Sequence, residues 1–227
     1  MGKGIFITGT GTDVGKTFVT ALLVKKLHES GKDAVYFKAA VSGNNRDANG
    51  RLIPGDPLHV KTVSGIPQPL GEMCPYIYER AVSPHLASRF EGDPISLERV
   101  VSQYHALRER HGLVTMEGSG GIICPLRHDD VRLMLEDVIA ALRLPCLVVA
   151  DAGLGTINAV VLTCTYMKSH DIPVKGVIFN HFHAGDAMEE DNRLMCEELT
   201  GIPVIACVAD GATDIQLDAD FLASLYE

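Results

Sequence analysis

A glycine-rich stretch near the start of the chain has the residue types that bind phosphate. Residues 9–17 read Gly-Thr-Gly-Thr-Asp-Val-Gly-Lys-Thr, between the apolar run 5–7 and a helical pattern of apolar residues. Unpaired N–H groups and the dipole at a helix start attract anionic oxygens, and glycines let the backbone approach them. We therefore expect Lys16 to reach the β- and γ-phosphates of a nucleotide, and Thr17 to ligate Mg²⁺.

This loop is a variant of the common phosphate-loop pattern. The usual first glycine would stand at position 10, where the chain has threonine, and the glycine lies one residue earlier at Gly9. Strand, loop, Gly-Lys-Thr and helix still follow in the order that phosphate binding requires. The loop residues predicted to contact the nucleotide are Thr12, Asp13, Val14, Gly15, Lys16 and Thr17.

Charged residues near other predicted strand ends could complete the site. Glu117 ends an apolar strand ahead of the small residues 118–121, and Lys38 ends another apolar strand. Asp56 follows a polar loop and, with Pro57 behind it, resembles a helix N-cap. Glu117 and Asp56 could hold the Mg²⁺ bound by the loop, and the Lys38 ammonium could stabilise a transferring phosphoryl group. Simpler alternatives are an N-cap role for Asp56 and a solvated strand end for Lys38.

Apolar runs and helical patterns alternate along the chain. Predicted strands cover residues 5–7, 34–37, 113–116, 146–150, 174–180 and 204–208, and the main predicted helices cover 14–30, 95–110, 131–142, 158–169, 188–199 and 215–225. Such alternation is typical of an α/β fold with a mostly parallel sheet and helices on both faces. With its phosphate loop, the chain is predicted to be a single P-loop NTPase-like domain over residues 1–227. Ligands in such sheets bind at the carboxyl ends of the strands.

Composition narrows the range of partners. The chain has 227 residues, is 46% hydrophobic and carries a formal charge of −9. Its longest basic block is Lys25-Lys26, so we expect neither a nucleic acid nor a membrane as partner. No apolar run is long enough to span a bilayer, and the six cysteines form no C-x-x-C pair. These features predict a cytoplasmic protein with reduced cysteines.

Several blocks together resemble the dethiobiotin synthetase family along nearly the whole chain. The phosphate loop matches that family's loop, including the displaced first glycine. Further blocks follow in family order at 37–43 (Phe-Lys-Ala-Ala-Val-Ser-Gly), 83–85 (Ser-Pro-His), 117–121 (Glu-Gly-Ser-Gly-Gly) with Pro125-Leu126, and 154–158 (Leu-Gly-Thr-Ile-Asn). The combination is specific, although a single block would not be.

The resemblance implies an ATP-, Mg²⁺- and CO₂-dependent ring closure of 7,8-diaminononanoate to dethiobiotin, a step of biotin biosynthesis. Members of the family form a carbamate of the substrate and transfer the γ-phosphoryl group of ATP to its oxygen. The second amine then displaces phosphate and closes the ureido ring. The family is dimeric, so the resemblance also implies a homodimer with the substrate site at the interface.

The resemblance further implies roles for individual residues. Lys16 and Lys38 would bind the phosphoryl group and the carbamate, and Thr12 would act with them. Ser42 and Ser83 would bind substrate, and Gly155 and Asn158 would reach its carboxylate from the partner subunit. The implied metal ligands are Thr17, Asp56 and Glu117, and the implied nucleotide contacts outside the loop are Glu117, Gly118, Gly120 and Asn180, the last of which would read adenine.

Two other functions share the phosphate loop. One is a related amidoligase or cobyrinate-type ATP enzyme, but those proteins typically carry an additional glutamine-hydrolysing domain. The other is a nucleotide switch of the partition or septum-positioning type, which usually has a further lysine where this chain has Gly11 and Thr12. ATPase activity separates these alternatives, because a switch responds to DNA, membrane or partner and a synthetase responds to the diamine.

Overall fold

The computed structural model describes all residues, Met1–Glu227, and contains ten β-strands and eight α-helices. In chain order the strands are β1 (Lys3–Gly9), β2 (Ala34–Lys38), β3 (Ala40–Val41), β4 (Tyr76–Ile77), β5 (Leu113–Glu117), β6 (Pro125–His128), β7 (Arg132–Met134), β8 (Cys146–Asp151), β9 (Val174–Asn180) and β10 (Val204–Val208). The helices are α1 (Lys16–Glu29), α2 (Gly55–Ser64), α3 (Pro84–Glu91), α4 (Leu97–Arg110), α5 (Leu135–Leu142), α6 (Thr156–Ser169), α7 (Ala187–Thr200) and α8 (Ala219–Ser224). A short 3₁₀ helix covers Leu70–Glu72.

Six parallel strands form the central sheet, in the order β10-β9-β8-β1-β5-β2. The strand β1, which leads into the phosphate loop, lies between β5 and β8. In register, Glu117 on β5 stands beside Ile7 on β1 and beside Lys38 on β2. The predicted parallel sheet is therefore confirmed, and its carboxyl edge carries the loop, Lys38 and Glu117 side by side.

Helices cover both faces of the sheet, as predicted. On β1, Ile5 and Ile7 pack with the apolar residues of α1 and α8, whereas Phe6 points to the opposite face and joins the residues of α4, α5 and α6. This alternation follows from the two-residue period of a strand that is buried on both sides. Among the eight helices, none has the length and apolarity that crossing a bilayer would require.

The helix predicted over 131–142 is wrong in its first part. Arg132–Met134 is the strand β7, which pairs antiparallel with β6, and α5 begins only at Leu135. The Asp137 carboxylate accepts the backbone N–H of Met134 at 2.7 Å and so closes the helix start there. A side chain three residues into the helix thus decides where it begins.

Two other helix starts also differ from prediction. Asp56 is not an N-cap, because α2 begins at Gly55, whose N–H donates to the Asn44 side chain at 2.8 Å. The last helix, predicted over 215–225, is shortened to Ala219–Ser224 because Asp218 accepts the first N–H groups of α8. In both cases the helix begins where a side-chain oxygen accepts N–H groups of its first turn, which favours a helix over a turn at that point.

A single glutamine holds the outer edge of β2. The Gln68 side chain accepts the N–H of Tyr36 and donates to the C=O of Tyr36, both at 2.9 Å, and it is 4% exposed. Two residues further on, the N–H of Lys38 donates to the C=O of Met73 at 2.8 Å. The segment after α2 therefore replaces the neighbouring strand that the sheet edge lacks, and it fixes the strand that bears Lys38.

Replacing Gln68 by leucine is expected to destabilise the fold. The substitution keeps an apolar side chain of similar size but leaves the N–H and C=O of Tyr36 buried without partners, at a cost of about 1–3 kcal/mol for each group. Urea unfolding measures the loss, and Gln216→Leu, at an exposed position, is the control and should change the free energy of unfolding by less than about 0.5 kcal/mol. Equal effects of the two substitutions would contradict this role of Gln68.

Candidate active site

One cavity of about 970 Å³ lies at the carboxyl edge of the sheet, beside the phosphate loop. The predicted site residues that line it are Thr12, Asp13, Gly15, Lys16, Thr17, Lys38, Ser42, Asp56, Ser83, Glu117 and Gly120. They come from the loop after β1, the ends of β2 and β5, the start of α2 and the segment before α3. The structure thus gathers in one place residues that are far apart in the sequence.

Glycine is required at two positions of the phosphate loop. Gly15, directly before α1, has φ +86°, and a Cβ there would lie 2.0 Å from the side-chain nitrogen of Asn180. A Cβ at Gly9 would lie 2.8 Å from a methyl group of Val14, because the loop folds back over the end of β1. That close approach explains why a glycine stands at position 9. The N-terminus of α1 has no acidic residue in its first turn, which favours an anion there.

The Lys16 side chain folds back against the phosphate loop. Its ammonium donates to the C=O of Gly11 at 2.7 Å, and the residue is 7% exposed. Burial lowers the pKa of Lys16, and the positive charge of Lys38 lowers it further. A negative charge in the cavity would raise the pKa of Lys16 and so offset both effects, which makes this ammonium a good partner for an anionic phosphate.

Four polar side chains form a connected cluster behind the loop. Oε1 of Glu117 accepts a hydrogen bond from Thr17 Oγ1 at 2.7 Å and another from Lys38 Nζ at 2.6 Å. Lys38 Nζ also donates to Oδ2 of Asp56 at 2.6 Å. The Lys38 and Glu117 side chains are 5% and 0% exposed, whereas that of Asp56 is 38% exposed. Lys38 is therefore not the solvated strand end that was the simpler alternative.

The two carboxylates keep Lys38 charged. Burial alone lowers the pKa of Lys38, but Glu117 and Asp56 outweigh that effect, so its pKa lies above the usual lysine value. Removing one partner of a buried ion pair leaves the other charge without compensation in a medium of low polarity. Lys38 and Glu117 consequently depend on each other, and each holds the other at the cavity wall.

The lining of the cavity also includes hydroxyl groups and apolar side chains. Ser42 Oγ donates to the C=O of Val82 at 2.7 Å, while Ser83 immediately precedes α3 and makes no side-chain capping bond. Apolar lining residues include Val41, Val82, Ile123 and Pro125. The cavity therefore combines cations with hydroxyl groups and apolar surface.

Three predicted nucleotide contacts, Val14, Gly118 and Asn180, lie next to this cavity without lining it. Asn180 is fully buried, and its side-chain nitrogen donates to the C=O of Val14 at 3.2 Å, while its Oδ1 has no partner. A Cβ at Gly118 would lie 2.9 Å from the ring of Phe6, so this glycine permits close packing under the sheet edge. Val14 contributes its backbone to the same region.

The predicted carboxylate-binding residues lie elsewhere on the molecule. Gly155, with φ +93°, precedes α6, and Asn158 is exposed in the first turn of that helix. Neither residue lines the cavity of its own chain. The neighbouring Leu154 is 91% exposed, so the start of α6 presents both polar and apolar groups at the surface.

Tyr36 is a site neighbour that the sequence motifs do not single out. Its hydroxyl donates to Oε2 of Glu117 at 3.0 Å, and its side chain is fully buried. Burial and the Glu117 charge raise the pKa of Tyr36 well above its usual value, so the hydroxyl stays protonated. The sequence could have indicated this position, because side chains two residues apart in a strand point to the same face, and Tyr36 lies two residues before Lys38.

Comparison with known proteins adds full-length relatives. A family model described as an AAA domain matches residues 3–211. The chain is 42% identical to the ATP-dependent dethiobiotin synthetase BioD of Brachyspira hyodysenteriae, over 228 residues that cover 100% of both chains. It is also 42% identical to the protein of that name in Clostridium botulinum, covering 100% of this chain and 99% of the relative. For the Clostridium perfringens protein of that name, the identity is 43% over 92% of this chain and 91% of the relative.

Solved structures of lower identity share the fold. The MinC:MinD cell division protein complex of Aquifex aeolicus matches with a TM-score of 0.54 at 15% identity, over 98% of this chain and 86% of that chain. Chloroplast FtsY of Physcomitrella patens matches with a TM-score of 0.51 at 16% identity, over 99% of this chain and 65% of that chain. These likenesses confirm the P-loop NTPase-like fold and carry nothing further about activity.

Replacing Lys38 by methionine is expected to lower the free energy of unfolding by about 3–5 kcal/mol, because Glu117 is left buried and unpaired. The double variant Lys38→Met/Glu117→Gln should recover much of that loss. Chemical denaturation without nucleotide measures both. The matched control is Lys26→Met, which removes a partly exposed pair with Asp214 and should cost no more than about 1 kcal/mol. If the double variant is less stable than Lys38→Met, the two charges do not depend on each other.

Proposed function

Because the chain belongs to the dethiobiotin synthetase family, we propose that the cavity beside its phosphate loop closes the ureido ring through a carbamate and a carbamic–phosphoric anhydride. The protein is an ATP-dependent cyclo-ligase of biotin biosynthesis, which makes dethiobiotin from 7,8-diaminononanoate and CO₂. Identity of about 40% over the full length favours this activity over an amidoligase or a partition-type switch. The likeness to MinD, at 15% identity, concerns the fold alone.

The proposed reaction has three steps. One amine of the diamine attacks CO₂ and loses a proton, which gives the carbamate. A carbamate oxygen then attacks the γ-phosphorus of ATP, and ADP leaves as the bond to its terminal bridging oxygen breaks. The second amine attacks the carbamoyl carbon and loses a proton to solvent, the phosphate leaves with the electrons of its C–O bond, and the ring closes.

The observation that carries this proposal is the presence of two buried ammonium groups, Lys16 and Lys38, in one cavity. In the second step an anionic carbamate must approach an anionic triphosphate. Fixed positive charges in a site that excludes water reduce that repulsion and stabilise the charge that develops on the phosphoryl oxygens. Lys16 would hold the phosphates, and Lys38, together with Thr12, would hold the carbamate oxygen beside them.

Thr17, Asp56 and Glu117 would hold Mg²⁺. The fit rests on the donor set, which is a hydroxyl and two carboxylates, all oxygen ligands of the kind Mg²⁺ prefers. Thr17 Oγ1 and Glu117 Oε1 are already 2.7 Å apart, and Asp56 is joined to them through Lys38. No group of three or more His, Cys, Asp or Glu side chains is arranged to hold a metal, so the nucleotide phosphates would have to complete the shell. When bound, the cation supplies positive charge at the phosphates.

The rest of the cavity suits the diamine. Both amines must be neutral to react, and an ammonium ion is favoured by nearby carboxylates. Ser42 and Ser83, which also line the cavity, offer hydroxyl groups without negative charge. The apolar residues Val82, Ile123 and Pro125 would pack against the alkyl chain.

The nucleotide would lie along the loop with its base near Asn180. The backbone of residues 12–17 would surround the phosphates, and Gly118 and Gly120 would border them from the end of β5. Asn180 Oδ1 has no partner within the protein, and it would accept a hydrogen bond from the exocyclic amino group of adenine once this fully buried side chain becomes accessible to the base.

We also propose a homodimer in which Gly155 and Asn158 reach the substrate carboxylate of the partner subunit. Their exposed position at the start of α6, outside their own cavity, supports this arrangement. A helix start favours an anion, and α6 has no acidic residue in its first turn. The proposed location is the cytoplasm, supported by six free cysteines and no disulfide.

Replacing Lys16 by alanine is expected to lower turnover by at least about 10²-fold, because the charge that offsets the phosphates is lost. The assay follows dethiobiotin and ADP at saturating ATP, Mg²⁺, diamine and bicarbonate. Lys25→Ala, on the outer surface of the same helix, is the control and should remain active. ADP release that does not depend on diamine, with no dethiobiotin formed, would refute the proposed function.

Mixing two inactive variants tests the shared site. Lys16→Ala damages the loop of its own subunit, and Asn158→Ala damages the site of the partner. In a symmetric dimer with sites at the interface, a mixed dimer keeps one intact site, so random exchange of subunits should restore about a quarter of wild-type turnover. Activity in Asn158→Ala alone would mean that Asn158 has no role. If both variants are inactive alone, a mixture without activity, despite subunit exchange shown by mass spectrometry, would mean that Asn158 acts within its own chain.

A further inference from the structure

The hydroxyl of Tyr36 contacts the carboxylate oxygen of Glu117 that does not bind Thr17. Tyr36 is fully buried on β2, and its hydroxyl donates to Oε2 of Glu117 at 3.0 Å. The other carboxylate oxygen, Oε1, accepts from Thr17 and Lys38. The two oxygens of one carboxylate therefore have separate partners, one set within the cavity and one within the core.

The position of Tyr36 is itself fixed. Gln68 binds both the N–H and the C=O of Tyr36, and the Lys61 ammonium donates to the C=O of Gln68 at 2.5 Å. The ring lies in an apolar cluster that includes Val24, Val60 and Met73. A tyrosine held by backbone and ring presents its hydroxyl at one place.

We propose that Tyr36 is a positioning residue, which holds Glu117 so that Oε1 faces Thr17 and the divalent cation. This inference rests on the cation site of the proposed function. It concerns a residue that does not line the cavity and touches neither substrate nor cation.

The physical reason is the burial of Oε2. Without the Tyr36 hydroxyl, this oxygen would be left inside the protein with no hydrogen bond, which is costly for a charged group. The carboxylate would lower that cost by turning toward Lys38 and Thr17, and Oε1 would lose its orientation. Partners that orient a metal ligand in this way typically change metal affinity or activity by about 10- to 100-fold when they are removed.

The test compares Tyr36→Phe with Tyr226→Phe. Each substitution removes one fully buried hydroxyl and one hydrogen bond, since Tyr226 pairs with Thr115 at 2.7 Å, away from the cavity. Mn²⁺ binding to the protein in the presence of ADP is titrated by electron paramagnetic resonance of free Mn²⁺, which needs no turnover. We expect Tyr36→Phe to weaken Mn²⁺ binding by about tenfold or more and Tyr226→Phe to leave it at the wild-type value.

The Mg²⁺ dependence of turnover gives a second reading. Tyr36→Phe should raise the Mg²⁺ concentration for half-maximal activity, and high Mg²⁺ should restore much of the rate. Urea unfolding measures the stability of both variants, and Tyr36→Phe should lose at least as much stability as Tyr226→Phe, because its lost partner is a charged carboxylate. Unchanged Mn²⁺ affinity in Tyr36→Phe would overturn the inference, whatever happens to the rate.

The Glu117→Gln background separates positioning from a general loss of packing. If Tyr36 acts through the Glu117 carboxylate, adding Tyr36→Phe to Glu117→Gln should weaken Mn²⁺ binding no further, whereas an additional tenfold loss would overturn the inference. This result is independent of the proposed reaction. A wild-type protein that binds Mn²⁺ with ADP but forms no dethiobiotin would refute the reaction and still allow Tyr36 to be tested.

Discussion

The buried contact between Lys38 and Glu117 is the interaction on which the site depends. The two residues are neighbours in register at the ends of adjacent parallel strands, and their side chains are almost completely buried. Each charge would be unfavourable there alone, and together they are stable only while the two strands keep their register. The contact thus links the sheet to the chemistry, because Glu117 joins Thr17 of the phosphate loop and Lys38 joins Asp56 at the start of α2.

Much of the fold could be predicted because the central strands are buried on both faces. A continuous apolar run such as 146–150 marks a strand of this kind, and the phosphate loop specifies which strand end carries the nucleotide. The predictions that were wrong concern helix starts, which depend on single side-chain hydrogen-bond acceptors. The starts of α5, α2 and α8 depend on Asp137, Asn44 and Asp218, each through one or two hydrogen bonds. The spacing of hydrophobic residues in the sequence does not reveal these hydrogen bonds.

For the candidate site, the sequence also predicted the main residues but not the residues that support them. The resemblance and the strand ends pointed to Lys16, Lys38 and Glu117, and all three line one cavity. The supporting residues Tyr36 and Gln68 were not found, because an apolar strand and an irregular loop show no motif. Tyr36 could have been inferred from its face of β2, but the pairing of Gln68 with that strand depends on a tertiary contact across 32 positions. Such contacts are visible only once the chain is folded.

The side-chain amide of Gln68 also affects how readily one molecule can pair with another in a crowded solution. An uncovered outer strand offers a row of free N–H and C=O groups that another chain can extend into a larger sheet. All residues of β2 are buried, and the amide occupies both backbone groups at Tyr36. The segment that stiffens the strand bearing Lys38 therefore also withdraws that strand from intermolecular pairing, so catalytic order and resistance to aggregation have a common origin.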